Sequence, residues 1–103
     1  MRAAKIDNNQ PEIVAALRMA GCSVYSTAGV GRGFPDLAVG REGVTYLLEV
    51  KDGSLPPSAR KLTTDEAHFH ALWRGHAMVV SSVDAALCAV GLDAIDEETG
   101  GKT

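Results

Sequence analysis

The sequence has little of what marks a secreted, membrane-spanning or disordered protein. It contains only two cysteines in 103 residues, Cys22 and Cys88, and their spacing fits neither a disulfide framework nor a metal-binding pair. No apolar run approaches the roughly 18 residues that a membrane span requires, and the first residues lack the apolar stretch of a signal peptide. With 46% hydrophobic residues the chain is too apolar for a disordered protein. We therefore expect one soluble, cytoplasmic domain with reduced thiols and no membrane partner.

The chain also lacks the excess of positive charge that is common in nucleic-acid-binding proteins. It has 10 Lys and Arg against 13 Asp and Glu, a formal net charge of -3. Residues 92–103 contain four acidic residues and one lysine, so this segment alone accounts for the whole net charge. Because the rest of the chain is neutral, the overall charge does not exclude a polyanionic partner. We expect a domain at residues 1–91 and a flexible acidic tail at residues 92–103.

The hydrophobic pattern predicts a small mixed α/β domain with the element order α-β-β-β-α-β-α. The first helix is expected to begin at a side-chain cap around Asn9, with Pro11 in its first turn, and to end at Gly21. A second helix is expected to begin at a capping box formed by Thr63 and Glu66. Strands are predicted at residues 22–27, 34–39, 44–51 and 76–81, and a third helix at residues 82–90. These elements would form a mixed central sheet flanked by helices.

The two central strands carry the most informative pattern. Residues 34–39 and 44–51 flank a short Gly-rich connection, which predicts a β-hairpin in which residue i faces residue 83 - i. One face is apolar, and the other carries Asp36, Glu49 and Lys51. In this register Asp36 is a diagonal neighbour of Glu49, with Cα atoms about 7–8 Å apart. That gap is too wide for direct carboxylate contact but suits two ligands of one divalent cation.

Two carboxylates and a lysine on one face suggest metal-dependent hydrolysis of a phosphodiester. A divalent cation held by Asp36 and Glu49 would polarise the phosphoryl oxygen and activate a bound water. Lys51 points the same way as Glu49, so its ammonium is a candidate for stabilising the developing negative charge. The backbone carbonyl of Val50 is a candidate third ligand. A solvated ion pair between Glu49 and Lys51 is the alternative that this spacing leaves open.

The surrounding residues resemble the VRR-NUC (virus-type replication-repair nuclease) domains of the PD-(D/E)xK nuclease superfamily. The resemblance covers about residues 10–88. It rests on residues 29–37, 48–53 and 60–63, followed by His70, Trp73, Arg74 and Gly75. It implies a DNA endonuclease dependent on Mg²⁺ or Mn²⁺, with Asp36 and Glu49 as metal ligands and Lys51 as the catalytic lysine. It also implies a metal role for Glu12, whose position fits a helix cap equally well.

The same resemblance implies a substrate, a partner and a location. Stand-alone viral members of the family imply a homodimer that cuts branched DNA, such as four-way junctions or flaps, in a bacterial or phage-infected cell. Two other functions remain open: a non-catalytic DNA-binding module of a repair or replication assembly, and a restriction-type endonuclease.

Several further residues have two interpretations. The family usually has Gln where this chain has Glu66, which is either a helix cap or an additional ligand. Candidate phosphate contacts are Arg32, Arg60 and Lys61, for which solvated loops are the alternative. Aromatic residues at helical spacing, Phe69 and Trp73, are expected in the core rather than on a surface that stacks on bases.

Overall fold

The computed structural model describes residues 6–92, which form a mixed four-stranded sheet and three α-helices. The elements are α1 (Gln10–Met19), β1 (Ser23–Ser26), β2 (Leu37–Arg41), β3 (Val44–Val50), α2 (Thr64–Leu72), β4 (Ala77–Val80) and α3 (Val83–Ala89). A short 3-10 helix at Pro57–Arg60, absent from the prediction, precedes α2. Strands β1, β2 and β3 are antiparallel, and β4 is parallel to β3. The expected small mixed α/β domain is confirmed.

The hydrophobic core lies between one face of the sheet and the helices α1 and α3. The hairpin supplies four of its buried side chains, Leu37, Val39, Leu48 and Val50, which all belong to the predicted apolar face. Helix α2 buries none of its residues. It begins on the other face of the sheet, where Lys51 and Glu66 meet. No helix among residues 6–92 is long and apolar enough to span a membrane.

The register of the β2–β3 hairpin differs from the prediction by two residues. The turn consists of Glu42 and Gly43, whose φ angles of 51° and 82° fit a two-residue type I′ turn. Pairing therefore continues to Arg41 and Val44, and residue i faces residue 85 - i instead of 83 - i. Because the shift is an even number of residues, every side chain stays on its predicted face. The shift changes only which side chains meet across the strands.

The first helix begins differently from the prediction. Asn9 is at the N-cap position, but within residues 6–92 its side chain makes no cap hydrogen bond. Instead, Nδ2 of Asn9 donates to the carbonyl oxygens of Lys51 at 3.0 Å and Ser81 at 3.2 Å. This side chain therefore ties the start of α1 to the ends of β3 and β4, next to Lys51. The predicted helix end is confirmed, since Gly21 has a φ of 96° directly after the cap residue.

The end of the described chain bears on the predicted tail. Leu92, the first residue of that tail, packs against the core, and its N–H donates to the carbonyl of Leu87 at 2.8 Å. The rest of the predicted acidic tail, residues 93–103, lies outside the described residues.

Candidate active site

Asp36 and Glu49 lie side by side where the pairing of β2 and β3 ends. The Asp36 N–H donates to the Leu48 carbonyl at 3.0 Å, and Oδ2 of Asp36 accepts from the Val50 N–H at 2.8 Å. The carboxyl groups of Asp36 and Glu49 are close enough that the charge of Asp36 raises the pKa of Glu49. The expected diagonal placement of Asp36 and Glu49 is therefore wrong. The observed register brings Asp36 next to Glu49, whereas the predicted register placed it opposite residue 47.

Glu49 is a buried acid with an unsatisfied oxygen. It is only 2% exposed, and its Oε1 has no hydrogen-bond partner among the described residues. Burial and the neighbouring Asp36 and Glu66 carboxylates raise the pKa of Glu49 to about 9. Burial also raises the pKa of Asp36, although the bond from the Val50 N–H opposes this. A buried carboxyl group beside a second carboxyl group, as at Glu49, requires a proton or a cation to balance its charge.

The Lys51 ammonium lies among these carboxylates. Its Nζ donates to Oε1 of Glu66 at 2.8 Å and lies 3.6 Å from Oε2 of Glu49. Burial acts to lower the pKa of Lys51, but the hydrogen bond and charge of Glu66, together with Glu49, outweigh burial and raise it. Lys51 is therefore charged at neutral pH and bridges two glutamates from different elements.

Glu66 has the cap role and the site role at once. Its Oε1 accepts from the Thr63 N–H at 2.9 Å, and Oγ1 of Thr63 accepts from the Glu66 N–H at 3.1 Å. The predicted capping box is therefore confirmed. Burial acts to raise the pKa of Glu66, but the hydrogen bonds from Lys51 and Thr63 outweigh it and lower the pKa. The cap interpretation is therefore confirmed, and the same side chain also accepts a hydrogen bond from Lys51, while its role as an additional ligand stays a prediction.

A hollow of about 260 Å³ opens in front of these groups, and Asp7 is one of the residues that line it. Sequence analysis missed Asp7, which acts electrostatically on both Asp36 and Lys51. Glu12, predicted as a metal ligand, is exposed and lines a separate hollow with Ser81. The structure therefore does not bring Glu12 into the site. Since Asn9 anchors the start of α1 beside Lys51, the segment before the helix lies at the site.

The three predicted phosphate contacts lie in different places. Arg60 lines the same hollow as the carboxylates, and its Nε donates to the Leu55 carbonyl at 2.8 Å. Lys61 follows Arg60 in the chain and is exposed. Arg32 lines a different concavity, beside Phe69 and Trp73. The expectation that both aromatic residues belong to the core is wrong, because Trp73 is 44% exposed and Phe69 is only partly buried.

The side chains at this site fit a cation that is only partly enclosed by protein. In the described part of the chain, no three or more His, Cys, Asp or Glu side chains form a ready-made metal-binding group. Asp36 and Glu49 nevertheless offer two hard oxygen donors, one of them the buried and unpartnered Oε1 of Glu49. Mg²⁺ is commonly held by one or two carboxylates, with waters and substrate phosphates as its other ligands. The donor set therefore fits a divalent cation that binds together with a phosphodiester.

Comparisons of the chain with protein-family models, with curated proteins and with solved structures each found no match. Any function assigned to this chain therefore depends on the chemistry of its own residues.

Proposed function

We propose that this chain is a divalent-metal-dependent DNA endonuclease that hydrolyses phosphodiester bonds, with a PD-(D/E)xK nuclease-like fold. The observation that carries the proposal is the buried carboxyl group of Glu49 beside the partly buried carboxyl group of Asp36. The Lys51 ammonium lies 3.6 Å from that pair, at Oε2 of Glu49. This combination supports phosphodiester chemistry, because it joins two hard donors to a fixed positive charge. The resemblance of residues 29–37 and 48–53 to VRR-NUC domains supports the same reaction.

Each residue of the site has a distinct role in the proposed reaction. Asp36 and Glu49 would hold Mg²⁺ or Mn²⁺, and the Val50 carbonyl remains a candidate further ligand. When bound, the ion supplies Lewis acidity toward the phosphoryl oxygen and toward a water. Lys51 stabilises the negative charge that develops on the phosphoryl oxygens. Glu66 positions Lys51 by accepting its hydrogen bond at 2.8 Å.

The proposed substrate is branched DNA, such as a four-way junction or a flap. Arg60 lines the hollow, so its guanidinium is a candidate for contact with a DNA phosphate. The exposed Lys61 adds a second positive charge beside it. One chain offers a single Asp36–Glu49 pair, so symmetric cutting of both strands of a junction requires two copies. A homodimer with two-fold symmetry is the simplest such arrangement, and light scattering of the purified protein tests it.

A cleavage assay on purified protein tests the proposed function. End-labelled four-way junction, flap, single-stranded and linear duplex DNA are incubated with Mg²⁺, Mn²⁺ or EDTA. We expect metal-dependent cleavage of the branched substrates by the wild type and none by Lys51→Ala. Binding without cleavage in either metal would overturn the enzyme assignment and favour a DNA-binding module. Cleavage of linear duplex at one fixed sequence would instead favour a restriction-type enzyme.

A further inference from the structure

A cluster of aromatic rings lies on the surface next to the candidate active site. The rings of Phe69 and Trp73 stack with centroids 4.9 Å apart and planes 23° apart. Phe34 meets both of them edge-on, at 5.2 and 6.1 Å. Trp73 is 44% exposed, and its neighbour Leu72 is 63% exposed. Helix α2 therefore presents a rigid aromatic surface that the core of the domain does not cover.

Beside these rings is a slot of about 210 Å³, lined by Arg32, His68, Phe69, Leu72 and Trp73. Arg32 lies in the left-handed region with a φ of 58°, between Gly31 and Gly33, which also have positive φ. Gly33 approaches the backbone of Asp65 so closely that a Cβ would collide with it. The Gly-rich loop is thereby held against the start of α2. This contact brings Arg32 to the slot.

The slot has the chemistry of a site that stacks on nucleobases. Unpaired bases are bound by stacking on aromatic rings, imidazoles and planar guanidinium groups, and the slot combines all three kinds of group. Arg32 also provides positive charge for a phosphate. Among the described residues that line the slot there is no carboxylate. If two copies of the chain met slot against slot, the Arg32 of each copy would face no carboxylate of the other slot. The charge therefore favours a nucleic acid over such a dimer contact.

We propose that this slot binds an unpaired base of the DNA substrate, which stacks on Trp73 next to Arg32. The inference rests on the proposed function, because it takes DNA as the substrate, and it specifies which part of that DNA is recognised. Trp73 follows Glu66 by seven residues on α2 and its cap, which is roughly 10 Å along a helix axis. That distance is roughly three steps along a DNA strand. DNA with an unpaired base near the scissile phosphate would therefore engage both sites, and fully paired DNA only one.

Tryptophan fluorescence tests the slot directly, because Trp73 is the only tryptophan in the chain. The wild type is titrated in EDTA with a short oligothymidylate, with an abasic strand of the same length, and with a blunt duplex. We expect the oligothymidylate to quench the fluorescence of Trp73. Base–aromatic stacking predicts at least about fivefold weaker binding of the abasic strand. The blunt duplex is expected to quench weakly.

Two substitutions separate stacking from general attraction to the backbone. Arg32→Gly accommodates the positive φ, so the fold is retained, and it is expected to lower the preference for oligothymidylate over the abasic strand about two- to fivefold. Lys61→Ala, at an exposed position outside the slot, is expected to weaken both strands alike and leave the preference unchanged. Unfolding curves of both variants verify that they are folded.

Other outcomes would overturn the inference. They are equal quenching by the abasic strand, no quenching at all, or an emission that changes with protein concentration alone as copies cover Trp73. Cleavage of branched DNA without quenching would overturn the slot and leave the nuclease in place. Base-dependent quenching in a protein that cuts nothing would support the slot and overturn the proposed nuclease activity.

Discussion

A single carboxylate oxygen, Oε1 of Glu66, accepts both the Lys51 ammonium at 2.8 Å and the Thr63 N–H at 2.9 Å. The first bond connects helix α2 to the end of strand β3, and the second closes the capping box of that helix. The position of the Lys51 ammonium is therefore coupled to the start of α2. A change at Glu66 affects the helix cap and the candidate active site together.

Glu66→Gln separates these two effects. A glutamine keeps an oxygen acceptor for both bonds but removes a negative charge beside the hollow in front of Asp36 and Glu49. We expect Glu66→Gln to cleave branched DNA at least as fast as the wild type and to unfold at nearly the same denaturant concentration. Glu66→Ala loses both bonds, so we expect slower cleavage and a loss of about 1 kcal/mol in stability. Equal loss of activity in both variants would show instead that the charge of Glu66 is required.

The sequence was sufficient for the parts of the fold that depend on local chemistry. The Thr63 capping box was predicted correctly. So was the alternation of side chains that places Val50 on one face of the sheet and Glu49 and Lys51 on the other. The register was wrong, because Glu42 adopts a positive φ in a type I′ turn that a sequence without a Gly at that position does not indicate. The placement of Asp36 beside Glu49 follows from the observed register.

The role of the first helix was also beyond the sequence. Asn9 is a residue type that commonly caps helices, but its side chain instead makes long-range hydrogen bonds to the carbonyl oxygens of Lys51 and Ser81. Those bonds span 42 and 72 positions in the chain, so no local pattern reveals them. These bonds hold the start of α1 beside Lys51. Asp7 then lines the hollow at the site, whereas Glu12 lines a separate hollow.

Asp7 and Glu12 are expected to contribute differently to cation binding. Asp7 lines the same hollow as Asp36, and its negative charge attracts a divalent cation there. We expect Asp7→Asn to weaken Mn²⁺ binding by about fivefold or more, the size of a short-range charge interaction near a surface. Glu12→Gln serves as the matched control, and we expect no change for it. Calorimetric titration with Mn²⁺ measures both, and a larger effect of Glu12→Gln would contradict this assignment.

Glu49 is expected to make the stability of the metal-free protein depend on pH. Burial and the neighbouring Asp36 and Glu66 raise its pKa from 4.5 to about 9. Between these values the folded protein keeps a proton that the unfolded chain releases, so stability falls as pH rises through this range. One such proton corresponds to a slope of about 1.4 kcal/mol per pH unit.

Urea unfolding in EDTA at several pH values between about 5 and 8 measures this slope. The control is Glu49→Gln, which cannot ionise and is expected to lack this decrease. The same slope in the wild type and in Glu49→Gln would show that Glu49 does not hold the proton.

Three glycines of the loop before β2 provide a graded test of its packing. An added Cβ meets no atom of the described residues within 4 Å at Gly29 or Gly31, but collides with the Asp65 backbone at Gly33. Gly31 and Gly33 have positive φ. We expect Ala to cost less than about 0.5 kcal/mol at Gly29, about 1 kcal/mol at Gly31, and about 2 kcal/mol or more at Gly33. Denaturant unfolding measures the series, and equal losses at Gly31 and Gly33 would contradict the close approach.

The most direct measurement is the initial rate of four-way junction cleavage in Mg²⁺ by Glu49→Gln and by Glu42→Gln. Glu42 is the matched control, because it lies in the hairpin turn and its side chain is 76% exposed. If Glu49 holds the catalytic metal, Glu49→Gln loses at least about 10²-fold in rate, whereas Glu42→Gln keeps the wild-type rate. Wild-type cleavage by a folded Glu49→Gln variant would contradict the assignment of this site.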